Sequence, residues 1–73
     1  MFEFKVYRDG EYITTINAFK KSSQRPFDFE YVEGVQVGDV LENNEDDLLL
    51  VLSNDNRPGE IRDGLRLRLI RQD

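Results

Sequence analysis

Val6-Tyr7-Arg8-Asp9-Gly10-Glu11-Tyr12-Ile13 sets an Asp-Gly pair between two runs of strand-forming residues. A two-residue type I′ turn needs φ > 0 at both central positions, which Gly adopts freely and Asp tolerates. The stretch therefore reads as a β-hairpin. The turn also fixes a register, with Arg8 opposite Glu11, Tyr7 opposite Tyr12, Val6 opposite Ile13, Lys5 opposite Thr14 and Phe4 opposite Thr15. In that register Phe2, Phe4, Val6 and Ile13 share the core face. Glu3, Lys5, Tyr7, Tyr12, Thr14 and Ile16 take the other face.

Downstream, Lys20 to Pro26 is polar and ends in a residue that cannot donate to a ladder, so 20–26 reads as a loop. Phe27 to Glu33 alternates with period two, Phe27, Phe29 and Tyr31 on one side and Asp28, Glu30 and Val32 on the other. Gly34 breaks that strand, Val35-Gln36-Val37 is a candidate to resume pairing, and Gly38-Asp39 is a second turn signal. Val40-Leu41 is a short strand ahead of the polar loop Glu42 to Asp47.

Leu48-Leu49-Leu50-Val51-Leu52 is apolar on both parities. It reads as a strand covered on both faces, or as an inner strand of a closed barrel. A helix capped by Asp46 or Asp47 would run only about two turns before the Asn- and Pro-containing stretch that follows, which favours a strand. Finally, Leu65, Leu67 and Leu69 alternate with Arg66 and Arg68 after Gly64. The expected core gathers Phe4, Phe29, Leu50 and Leu67.

Short strands at this spacing, with no helix-length amphipathic segment, predict an all-β fold. The expectation is a small five- or six-stranded SH3-like or OB-like barrel, or a curled antiparallel sheet, because closure removes exposed edges. Seventy-three residues make a single small β domain over 1–73.

Charge is segregated along the chain. Nine carboxylates and no basic residue lie between Phe27 and Asn56, while each flank carries five basic residues against three acidic ones, for a formal net charge of −5. This balance argues against general affinity for nucleic acid or an anionic membrane. The N-terminal residues lack the basic-then-apolar pattern of a secretory signal, and the longest apolar run is too short to span a bilayer. A chain without Cys suits a reducing compartment, so a cytoplasmic location is expected.

Chemistry has few candidates. Neither His nor Cys is present, which removes the usual general acid/base, the thiolate nucleophile and the commonest metal ligands. Ser22 and Ser23 sit beside Lys20-Lys21 with no motif around them. The Glu42 to Asp47 loop departs from the EF-hand pattern, with Asp47 where Gly is required and Ser53 where the terminal Glu is required. The reading is therefore not an enzyme, with no catalytic, cofactor-binding or metal-ligating residue.

What remains is binding. The chain is expected to be a non-enzymatic protein-interaction or structural module, an accessory subunit of a bacterial or phage assembly. Its partner would be another protein, or a second copy of itself in a homo-oligomer. The candidate partner-binding residues are Asp39, Glu42, Glu45, Asp46 and Asp47, which would meet a basic surface. One alternative is an acidic mimic of nucleic acid that inhibits a basic nuclease or restriction-type protein. A second is a nucleic-acid-binding barrel using a basic face at Arg66 and Arg68, with Tyr7, Tyr12 and Tyr31 as stacking candidates. Against that stands internal pairing of Arg66 and Arg68 with Asp28 and Glu30 across neighbouring strands.

Overall fold

The computed structural model describes residues 1–21 and 25–71. Ser22 and Ser23, together with part of the expected 20–26 loop, lie outside the described residues. Six strands form one sheet: β1 (Phe2–Arg8), β2 (Glu11–Ala18), β3 (Asp28–Phe29), β4 (Val40–Glu42), β5 (Leu48–Asp55) and β6 (Gly64–Arg71). Every pairing is antiparallel, and the order is β2-β1-β4-β5-β6-β3.

The sheet is strongly curled into a half-barrel. Phe4 on β1 and Phe29 on β3 stand four strand positions apart, about 19 Å in a flat sheet at roughly 4.8 Å per strand. Their ring centroids are 5.4 Å apart in an edge-on contact, and Phe2 meets Phe29 in the same way. A short closing bridge accompanies the curl. Lys20 pairs with Phe29, the Lys21 amide donates to the Asp28 carbonyl at 3.0 Å, and the Glu30 amide donates to the Phe19 carbonyl at 2.8 Å. The chain just beyond β2 thereby covers the free edge of β3, which would otherwise be an open pairing template.

The hairpin forms at the Asp-Gly turn, with φ of 53° at Asp9 and 82° at Gly10. Its register follows the sequence reading only for Arg8–Glu11 and Tyr7–Tyr12. A β-bulge then inserts Ile13, so Val6 faces Thr14, Lys5 faces Thr15 and Phe4 faces Ile16. One extra residue moves every later side chain to the opposite face. Ile16 and Ala18 are buried, while Ile13 is 41% exposed, the reverse of the expected assignment.

The inward side of the curl carries Phe4, Val6, Ile16, Ala18, Phe29, Val35, Leu41, Leu49, Val51, Leu65 and Leu67. Leu50 is not among them. In β5 the buried positions are Leu49 and Val51, and Leu50 lies half-buried on the outer side. A single curled sheet has one interior, so only one parity of the Leu48–Leu52 run can enter it. A bulge between Val51 and Ser53 leaves Leu52 exposed.

The Phe27–Glu33 alternation also gives less strand than expected. Only Asp28 and Phe29 pair, Phe27 and Tyr31 are exposed, and Val32 and Val35 turn towards the core instead. Val35-Gln36-Val37 forms no strand, and Val37 is exposed. The Asn54 side chain holds this irregular segment. Its amide donates to the carbonyls of Val32 and Val35 at 2.6 and 2.8 Å, and its oxygen accepts from the Val32 amide at 3.2 Å. The last strand follows the alternation, with Leu65 and Leu67 buried, Leu69 packed on the core and Arg68 exposed.

Candidate functional site

The five acidic candidates do not assemble into one exposed face. Asp39 is 2% exposed. The Arg8 guanidinium donates to both of its oxygens at 2.9 Å, and the Gln36 amide donates to it at 2.9 Å. These bonds favour the charged carboxylate. The Arg8 bond is the leading cause that holds Asp39 below its ordinary pKa, against the upward pull of burial. Arg8 also donates to the Gly34 carbonyl at 3.1 Å. The pair therefore pins the loop before β4 to β1, and Asp39 is a structural anchor.

Glu45 and Asp46 are exposed on the β4–β5 turn, while Asp47 is half-buried. That turn is organised by Asn43, whose side-chain oxygen accepts from the Glu45 and Asp47 amides at 2.9 and 3.0 Å. The Asn43 amide in turn donates to the Asp47 carboxylate at 3.2 Å. Local side-chain bonds of this kind stabilise a turn without any ligand. Among the described residues, no group of three acidic side chains is arranged to hold a metal ion.

Glu42 lies on β4 with its side chain on the outer face, where it accepts from the Tyr7 hydroxyl at 3.3 Å. That face carries an arrangement the sequence reading missed. Successive register partners line up across five strands as Tyr12, Tyr7, Val40, Leu50 and Arg68. Tyr7, Val40, Leu50 and Arg68 each alternate with an inward neighbour, and Tyr12 stands opposite Tyr7 beside the bulge, so the row lies on the side turned away from the core. Tyr7 and Tyr12 pack with ring centroids 6.0 Å apart and planes tilted by 58°. Next to the row, Leu48 sits opposite Glu42. The signal for this face was present in the run Leu48–Leu52, which is apolar on both parities.

Beside the row is an open cavity of about 370 Å³, lined by Tyr7, Asp9, Gly10, Gly38, Val40, Glu42, Leu48 and Arg71. Its walls come from β1, the hairpin turn, β4, β5 and the end of β6, so the sheet pairing itself positions them.

Arg66 and Arg68 share the outer parity of β6 but make different contacts. The backbone sets Arg66 opposite Asp28, as the strand-pairing expectation required. The Arg66 guanidinium nevertheless donates to the Ile61 carbonyl at 2.8 Å, and Asp28 has Arg25 at 3.8 Å. Arg68 stands opposite Leu50 and forms no ion pair with the described residues. No helix in the described residues is long and apolar enough to cross a membrane. No family model, curated protein or solved structure matches the chain.

Proposed function

We propose that this chain is a non-enzymatic protein-interaction or structural module, an accessory piece of a larger assembly, which binds through the outer face of its sheet. The observation that carries this reading is the row Tyr12, Tyr7, Val40 and Leu50, an apolar strip on the side away from the core. Apolar area of this kind on a very small domain favours a covering partner, and tyrosines are well suited to such contacts because they bury a ring and keep a polar tip. The absence of Cys from the sequence suits a cytoplasmic setting.

The acidic-mimic alternative is weakened by the fate of its carboxylates. Mimicry needs a continuous anionic face. Asp39 is buried against Arg8, Asp28 lies beside Arg25, and Asp47 is tied to Asn43. A nucleic-acid surface at the tyrosines is opposed by Asp9 and Glu42 close by, which repel phosphate.

The deciding experiment compares the parent with Leu50→Asp. Both are checked for fold by circular dichroism and then used in affinity capture and sedimentation. A partner identified by capture is purified and re-bound in isolation. Loss of that binding, or of self-association, in folded Leu50→Asp supports the reading. Unchanged binding by the variant rejects this face. Micromolar binding of duplex DNA or single-stranded RNA by the parent would reject the protein-partner reading.

A further inference from the structure

The cavity beside Tyr7 has two chemically different parts. Val40, Leu48 and Tyr7 supply its apolar lining, and Asp9 and Glu42 are the two acidic residues among those that line it. Its volume of about 370 Å³ lies at the low end of the range for small-ligand pockets. That is room for one long side chain.

The carboxylates are available. Asp9 sits at the exposed tip of the hairpin beside Arg8, whose charge it feels, but the Arg8 donors go to Asp39 and Gly34, so Asp9 itself makes no hydrogen bond or ion pair within the described residues. Glu42 has only the Tyr7 hydroxyl, at 3.3 Å, which leaves further acceptor capacity on its two oxygens. Lys5 is opposite Glu42 in register but is exposed and forms no ion pair with it. Arg71 stands at the rim and is itself engaged in a contact. The lining therefore has two carboxylates to one guanidinium, around an apolar wall.

We propose that this cavity receives a basic side chain, arginine or lysine, presented by the partner protein. The proposal rests on the interaction-module reading and names the residue type that reading needs. The aliphatic stem lies along Val40 and Leu48 and the ring of Tyr7, in the way long cationic side chains cover apolar surface. The cationic head reaches Glu42 and Asp9, where charge-assisted hydrogen bonds are stronger than neutral ones. An aspartate or glutamate side chain would meet like charge here, and a purely apolar side chain would cover Glu42 while leaving it only the Tyr7 hydroxyl.

The test titrates isotope-labelled protein with Nα-acetyl-arginine amide and Nα-acetyl-lysine amide, following backbone amide shifts by NMR. Nα-acetyl-norleucine amide and Nα-acetyl-glutamine amide are the comparators. A single side chain should bind weakly, with Kd on the order of millimolar. The basic amides should give saturable shifts at Tyr7, Gly10 and Gly38, at least about fivefold tighter than norleucine. Glu42→Gln and Asp9→Asn should each weaken them. Asn tolerates the left-handed turn conformation and Gln can still accept from Tyr7, so both variants should keep the fold. Norleucine binding as tightly as lysine, shifts confined to other residues, or no saturation would overturn the proposal. The two readings separate in partner binding. If Leu50→Asp abolishes it while Glu42→Gln leaves it unchanged, the module stands and the basic-side-chain site falls.

Discussion

Arg8 and Asp39 are 31 residues apart in sequence and meet in a two-pronged pair, with Nε to Oδ1 and a terminal nitrogen to Oδ2, both at 2.9 Å. The carboxylate is buried and the guanidinium is one-third exposed. Half of the pair is therefore still wet, and the contact works as a positional lock on the loop before β4 more than as a large source of stability.

The lock has a pH signature. Asp39 is held below its ordinary pKa in the folded chain, chiefly by Arg8. A group whose folded pKa is depressed contributes stability that is complete above its unfolded value, about 3.9, and is lost as pH falls through the folded value. Urea midpoints should therefore be steady from neutral pH to about pH 5 and fall below about pH 4. Asp39→Ala should lower stability at neutral pH by about 1–3 kcal/mol, the scale of hydrogen bonds to a charged group. Its acid slope should be shallower than the parent's, and an acid slope equal to the parent's would contradict the lock.

Two glycines distinguish backbone strain from collision. At Gly10, φ is 82° and an added Cβ would meet nothing within 4 Å. At Gly64, φ is 103° and the Cβ would sit 2.5 Å from the Phe29 carbonyl oxygen. Gly10→Ala should cost about 1–2 kcal/mol, the left-handed penalty alone. Gly64→Ala should cost clearly more, because it forces β6 away from β3 at the point where the curl closes. Equal losses in urea denaturation would show that Phe29 does not press on Gly64.

Leu41 and Leu50 should respond differently to truncation. Leu41 is fully buried and Leu50 is half-buried on the outer face. Leu41→Ala should cost about 2–5 kcal/mol, enough to threaten folding of so short a chain. Leu50→Ala should cost under about 2 kcal/mol, since much of its surface is already wet. The comparison is read from denaturation midpoints at constant slope.

The bulge makes a prediction about two isoleucines three positions apart. Ile13→Asp should shift stability by no more than about 0.5 kcal/mol, as for an ordinary surface change. Ile16→Asp should unfold the protein, because it sets an unpaired charge inside the half-barrel. Under an unbulged register the order would reverse, so thermal melts of the two variants decide it.

Where the physics is local, the residues themselves carried the answer. The Asp9-Gly10 turn, the alternation of Leu65, Leu67 and Leu69, the strand at Leu48 and the all-β class follow from backbone conformations and periodicities within a few residues. The breaks came where distant segments compete. Whether Ile13 or Ile16 faces inward depends on a bulge, and that is chosen by how β2 fits the curled interior. Phe27 to Tyr31 alternates like a strand, but only Asp28 and Phe29 find neighbours on both edges. The acidic block looked uniform along the chain, yet Asp39 turns inward to Arg8 while Glu45 and Asp46 stay in water. The outer row from Tyr12 to Arg68 joins five strands, and no single segment contains it. Local sequence determined the hairpin turn and the strands at β1, β2, β5 and β6, because turn chemistry and side-chain period act over short range. Only the tertiary structure decided which face each strand turns inward and which charges meet, because those depend on closing one curled sheet around one core.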